Sequence, residues 1–449
     1  MTNSVRAMEI ITILQQQIGE TAVSRTDHHL EQFQYGPIKP SVALFPENSA
    51  QVGLIFKLAQ KHRKKVAVFG NNTLRSLGSN LEAFDWAVSL NRLNRIIKHD
   101  VEDLTVTVQS GVLLTDLQAQ IRQANQFLPI DSPGHSATIG GLVSTNSCGG
   151  WRLSHGTFRD LTLGMRVVLP DGREIKTGGN TVKNVAGYNL SRLFIGAMGT
   201  LGAITELTLR LVPTPADSRT AIIGFNNLTG LIDFISEILA SPQTISRCEY
   251  LNQPAFTRQL GANFQKSFMH NLIVNIAGHE QMVSAAINNL ISCSNRHESQ
   301  QTLVLYSADQ RIVWEKVSQL AFDIGDDFRR LSYKFILPKS KLWSMIEYFS
   351  TTELNPLNLI HAHAGSGILH LYQDDENLSP HIIIQRIDKY RNMAKQLGAT
   401  MVVTQAVDEI KTHQHIWGIT DSSINIMREI KQKYDPAGII AAGRFWGGL

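Results

Sequence analysis

Between Gly70 and Gly202, glycine and small hydroxyl residues gather in three short stretches, FGNNTLRSLGS, SPGHSATIGGLVSTNSCGG and FIGAMGTLGAI, and this clustering limits the fold more than any other feature. Glycine allows the positive φ and close backbone approach that tight bends require. Several such bends let backbone N–H groups converge on one concavity, which holds a diphosphate without many cations. Singly, each reads as an ordinary turn; together they point to a long, bent dinucleotide lying across a β-rich unit. Two commoner nucleotide grips are missing. No G-x-x-x-x-G-K-[ST] occurs and no G-x-G-x-x-G follows a strand, the nearest approach being Gly365-x-Gly367 without a third glycine.

At 449 residues the chain exceeds what one hydrophobic core serves, so two domains, or three subdomains, are expected. Lys and Arg outnumber Asp and Glu by only four, and the positive charges are scattered, which argues against a nucleic acid partner. Three cysteines far apart in sequence are too few to ligate an iron–sulfur cluster, so any such cluster belongs to a partner chain. The first residues, MTNSVRAMEIITILQQQIGE, break their apolar run at helical spacing, unlike a signal peptide. No segment approaches a membrane span. The expected setting is a reducing cytoplasm, with any inner-membrane contact made through a partner.

From Ser41 strands and helices alternate, with a helix opening near Asn48 or Ser49. Leu104 to Val108 reads as a strand and Leu114 to Ala124 as a helix. Pro170-Asp171-Gly172 lies between two apolar arms, a hairpin signal. In ITELTLRLVPTP, Leu207, Leu209 and Leu211 alternate with Glu206, Thr208 and Arg210, as in a strand with one wet face, and Pro213 and Pro215 then stop it. The main boundary is placed there. Further on, a helix is expected over Leu228 to Leu239 and a strand over Leu272 to Ala277. Tyr434-Asp435-Pro436 reads as a helix stop.

The block from LFPENSAQV through GNNT, PGHSATIGG, RDLTLGMRVVLPDG and KNVAGYNLSRLFIGAMGTLGAITELTLRLVPTP resembles the FAD-binding domain of the vanillyl-alcohol oxidase/p-cresol methylhydroxylase superfamily. It is most similar to the glycolate oxidase and D-lactate dehydrogenase branch, above all to the smaller FAD-binding subunit of bacterial glycolate oxidase. The match is continuous from Pro40 to Pro215, and HAHAGSGILH and KYDPAGIIAAGR extend it to the C-terminus. The resemblance implies an α+β fold: a two-subdomain FAD-binding domain of the p-cresol methylhydroxylase type over 1–215, an α+β substrate or cap domain over 216–430, and a C-terminal segment, 431–449, that returns to the FAD domain.

It also implies which positions meet FAD. Gly70, Asn71, Asn72 and Thr73 match the first diphosphate loop; Pro133, Gly134, Thr138, Ile139, Gly140 and Gly141 match the second; Gly199, Gly202 and Ile204 match the backbone around the adenine end; and Arg444 matches the N-P-G-R of the returning tail, its Asn-Pro being Ala441-Ala442 here. Asn71 and Asn72 replace two glycines, and Asn is the side chain best suited to positive φ. The first loop has no histidine for a covalent link, so FAD is expected to be non-covalent, His135 of the second loop being the weaker candidate for such a bond.

Oxidising an alcohol carbon beside a carboxylate needs a hydride acceptor, a base near the hydroxyl and a cation for the carboxylate. FAD supplies the first. Histidine suits the second and arginine the third. NLIHAHAGSGILHLY resembles the family's H-A-G-D-G-N-L-H: His363 and His370 match its histidines, while its aspartate is Ser366 and its asparagine Ile368. His361 is expected on the opposite side of the strand from His363. The later E-H-G-I-G segment is replaced by GATMVVTQAVDEI, so too few ligands remain and no metal is expected. Arg330 of FRRLSYKFILP, with Arg329 its neighbour and Lys334 in reserve, is taken as the carboxylate clamp.

These readings converge on FAD-dependent oxidation of a small 2-hydroxy acid of the glycolate or D-lactate type, with His363 as base and His370 beside it. Electrons would leave to a quinone, an iron–sulfur subunit or a second FAD subunit. Two rivals stand beside it: a non-catalytic FAD-carrying or structural subunit of a multi-chain glycolate oxidase, and an NADPH-using flavin reductase on the same fold.

Overall fold

Asn48 starts the first long buried helix by accepting from the Gln51 N–H at 2.9 Å, the usual service of an N-cap side chain. The helix, Ser49–His62, lays Val52, Ile55, Phe56 and Ala59 on a sheet whose strands Val42–Leu44, Trp86–Ser89 and Val66–Phe69 run parallel. This is the computed structural model, which describes residues 3–74, 76–131, 134, 136–179, 187–241, 245–261, 263–264, 266–320, 330–351, 358–374, 378–418 and 422–449, without the side chains of residues 3–7 and Arg330. Val23–Ser24 adds an antiparallel edge to that sheet. The tail returns to the same core: Ile439, Ile440 and Ala441 are buried in it, and Ile440 bridges Val66.

A second, antiparallel sheet runs in the order Ile96–Asp100, Thr105–Gln109, Ala203–Arg210, Thr162–Val168, Glu174–Gly178. The Pro-Asp-Gly turn joins its last two strands, with Gly172 at φ +80°. The expected wet face of Ala203–Arg210 is drier than alternation suggests. Thr208 is buried because its hydroxyl meets that of Thr107 at 3.0 Å, while Glu206 and Arg210 stay half-buried. Pro213 does not end the ladder at once either, since Val212–Pro213 pairs with Gln126–Phe127. Asp217 then opens another sheet.

Among the described residues that sheet has eight antiparallel strands, in spatial order Gln301–Leu305, Asp217–Phe225, His270–Gly278, Ile245–Asn252, Leu359–His363, Ile368–Asp374, Arg330–Ile336 and Thr400–Gln405. Strand alternation gives it two unlike faces. Cys248, Tyr250, Tyr333, Phe335, Ile360, Ala362, Leu369 and Leu371 point to one face, under the helices Leu228–Ala240, Glu280–Arg296, Leu342–Thr351 and Pro380–Gln396. Glu249, Lys334, His361, His363 and His370 occupy the intervening positions and point to the other. Among the described residues no helix is long and apolar enough to cross a membrane.

Candidate active site

A cavity of about 770 Å³ lies between the glycine turns of the first half and the polar face of the eight-stranded sheet. Gly70, Asn71, Asn72, Thr73 and Gly134 line it from one side, and His361, His363, His370, Lys334 and Glu249 from the other. A second cavity adjoins it, sharing Asn71 and Asn91.

The turns are locked together by contacts that only glycine permits. A Cβ on Gly70 would sit 2.2 Å from Thr138 Oγ1, and one on Gly140 would sit 2.6 Å from Ser110 Cβ. Thr138 caps the helix Ile139–Thr145 by accepting from the Gly141 N–H. Asn71 Nδ2 donates to the Ser136 carbonyl at 3.1 Å, tying the first loop to the second. Of the two asparagines, Asn72 takes up positive φ, at +55°, and Asn71 does not.

Pro133 and His135 lie outside the described residues. Thr138, Ile139, Gly140, Gly141, Gly199, Gly202, Ile204 and Arg444 do not line the main cavity. A Cβ on Gly202 would sit 2.8 Å from the Val168 carbonyl oxygen, and Arg444 stacks over Tyr35 with its centre 5.4 Å from the ring.

On the sheet side, Glu249 is the residue the sequence reading missed. Its buried carboxylate lies 2.7 Å from His361 Nε2 and 2.8 Å from His363 Nδ1. His361 therefore shares a face with His363, against expectation, because positions two apart on a strand point the same way. Burial alone would raise the Glu249 carboxyl, but the charge and hydrogen bonds of the two imidazoles overcome it and hold the group at about 2. Burial pushes His363 below its ordinary value, with the Glu249 charge offsetting part of that. An ionised carboxylate only accepts, so His363 donates through Nδ1–H and, in its neutral form, carries a bare lone pair on Nε2. His370, paired across strands with His361, is pushed well below its ordinary value by burial and by Lys334.

Of the cations named from sequence for the carboxylate clamp, Lys334 is the one whose side chain the structure describes. Arg330 opens its strand opposite Asp374, but its side chain and Arg329 lie outside the described residues. Lys334 lines the cavity, its ammonium lowered to about 8 by burial and by the neighbouring charge of Arg152. Arg152, also in the lining, comes from the GGWRLSHG turn, whose Gly150 leaves no room for a Cβ against Glu249. Arg247 locks this turn to the sheet. It pairs with Asp131 at 3.2 Å and lies between the indoles of Trp151 and Trp314, 4.3 and 3.8 Å from their centres. A detectable signal was present: Arg247 and Glu249 are the two charges, two positions apart, in the strand ISRCEYLN.

Glu249 also bears on the metal question. The expectation of no metal counted the missing later carboxylate, yet Glu249, His361 and His363 bring three ligand atoms within 4.8 Å of one another. The donor set for a divalent cation is thus present.

Glycine turns facing a histidine-lined polar sheet across one cleft define a flavoprotein of the p-cresol methylhydroxylase architecture. Superposition on the substrate-bound structure of p-cresol methylhydroxylase gives a TM-score of 0.78 at 15% identity, covering 99% of this chain and 97% of that one. The 4-ethylphenol oxidase of Gulosibacter chungangensis gives 0.74 at 15% identity, covering 99% and 98%. Residues 40–178 match the family described as FAD binding domain, so the chain carries FAD as its cofactor.

Glycolate oxidase subunit GlcD of Bacillus subtilis is 26% identical over 426 residues, 91% of this chain and 89% of the relative. A D-lactate dehydrogenase of Anaerostipes hadrus is 26% identical over 446 residues, 93% and 91%. The chain is an FAD-dependent oxidoreductase related to these proteins.

Proposed function

We propose that this protein oxidises a small 2-hydroxy acid of the glycolate or D-lactate type to the 2-oxo acid. In this reading residues 1–215 hold FAD without a covalent bond, 216–430 cover it, and 431–449 return to the first unit. The segregation of buried cores supports the division. The observation that carries the chemistry is the Glu249-bound histidine pair, set in one cleft with Lys334 and Arg152 and facing the glycine turns.

Lys334 and Arg152 hold the substrate carboxylate, because both line the cavity beside His363 and His370. His363 Nε2 takes the hydroxyl proton, and Glu249 stabilises the imidazolium that forms. His361, tied to the same carboxylate, limits its rotation. Bound FAD supplies the acceptor for the α-hydrogen, which leaves as hydride with two electrons. A divalent cation, if resident, would be held by Glu249, His361 and His363 and would polarise the substrate hydroxyl. Electrons then leave through a partner, a quinone or an iron–sulfur or second FAD subunit; relatedness to a protein named as a glycolate oxidase subunit supports this. Cytoplasmic placement, peripheral to the membrane through that partner, belongs to the same proposal.

Anaerobic mixing of the yellow protein with glycolate or D-lactate tests it. Bleaching is expected with one of them. Bleaching by NADPH alone would establish the reductase reading, and no response to any of the three would favour a flavin-carrying subunit without catalysis.

A further inference from the structure

A separate donor set lies on the helical side of the eight-stranded sheet, away from the cleft. The helices Leu228–Ala240 and Glu280–Arg296 pack together there, with Leu231, Phe234, Ile235, Val283 and Leu290 in the shared core. Cys293 and His297 are four residues apart at the end of the second helix, so they present side chains on one side of its last turn. Glu237 reaches them from the first helix. Its Oε2 lies 2.8 Å from His297 Nε2, and the thiol, imidazole and carboxylate ligand atoms all lie within 4.8 Å of one another.

Simple ion pairing accounts for part of this cluster, since Arg296 bonds Glu237 Oε1 and His297 bonds Oε2. The buried Cys293 thiol donates to the same carboxylate, so all three side chains converge on one point. One thiol, one imidazole and one carboxylate, placed by two rigid helices, suit a borderline-soft ion with tetrahedral preference. Arg296 then takes the part of an outer partner, holding the carboxylate by its other oxygen so that Oε2 is oriented for coordination.

We propose that Glu237, Cys293 and His297 form a zinc-class metal site that pins the two helices together, with solvent as fourth ligand. Cys293 binds as the thiolate and gives its proton to solvent. The site is independent of the cleft and of the reaction assigned to it.

The test is cobalt titration of the flavin-loaded protein, followed in the red beyond flavin absorption, where tetrahedral thiolate–cobalt absorbs. One equivalent is expected to produce the bands, and zinc to abolish them by displacement. Cys293→Ser and His297→Ala should each weaken binding at least tenfold, while Glu249→Gln, which disables the donor set in the cleft, leaves the bands in place. His297 is half-buried, so its variant guards against misfolding of the serine chain; retained flavin absorbance confirms folding in both. Absence of the bands in the unaltered protein, binding by both helix variants as tight as by the unaltered protein, or loss of the bands only in Glu249→Gln would each overturn the proposal.

Discussion

Glu249 illustrates how much one buried carboxylate can decide. Accepting from two imidazoles, it fixes their tautomers and stays ionised where burial would otherwise neutralise it. Glu249→Gln replaces an acceptor of two N–H groups with an amide that accepts on one side only. The rate of anaerobic bleaching should fall 10- to 100-fold with flavin absorbance unchanged, a loss of the size typical for orienting partners. Stopped-flow absorbance measures it. The pH profile follows from the same residues. His363 must be neutral to accept a proton, and burial lowers its pKa, so kcat/KM should rise with pH and reach its plateau below the ordinary imidazole range. Lys334 must be charged to hold the carboxylate, and its free-protein value is about 8, so kcat/KM should fall as pH rises above that. Lys334→Met should raise KM and erase this alkaline limb; an unchanged limb would mean that another group titrates there.

At the level of elements, strand alternation and glycine contacts do most of the placing. Three histidines reach one cavity because Leu359–His363 and Ile368–Asp374 are hairpin partners and put every second residue on the same side. The connecting Gly367, at φ +68°, has no space for a Cβ beside the Leu337 carbonyl. In the first half, Gly70 closes against Thr138 in the same way. Gly70→Ala forces an overlap with Thr138 Oγ1 that overpacking data value at about 1–3 kcal/mol. Flavin content per chain should therefore fall. Adding Thr138→Ala should restore part of it, less a cap worth about 1 kcal/mol. Visible absorbance after gel filtration reads both outcomes, and full flavin content in Gly70→Ala would show that the two loops do not need to touch.

Across the whole molecule, the buried pair of Asp131 and Arg247 joins the turn-bearing half to the sheet that carries the histidines. Each partner costs desolvation energy, visible in the lowering of Arg247 to about 10 by burial. Such pairs hold geometry more than they add stability. Arg247→Met strands the Asp131 charge and should cost about 3–5 kcal/mol in thermal or denaturant unfolding. The double variant with Asp131→Asn should recover most of that stability but not the bleaching rate, because the half-to-half register would remain loose. Recovery of both would reduce the pair to a stabilising contact.

Sequence by itself determined what depends on near neighbours. The Asn48 cap, the Pro-Asp-Gly hairpin, the stop after Tyr434 and the glycine bends follow from local backbone preferences, and the ordered series of bends identified the flavin fold. It could not rank side chains whose roles arise from strands far apart in the chain. Glu249 meets His361 and His363 across more than a hundred residues of sequence, and Arg152 reaches Lys334's neighbourhood from the other half. Only tertiary pairing brings such groups within hydrogen-bond range. Only the burial that comes with it sets which of them carry charge.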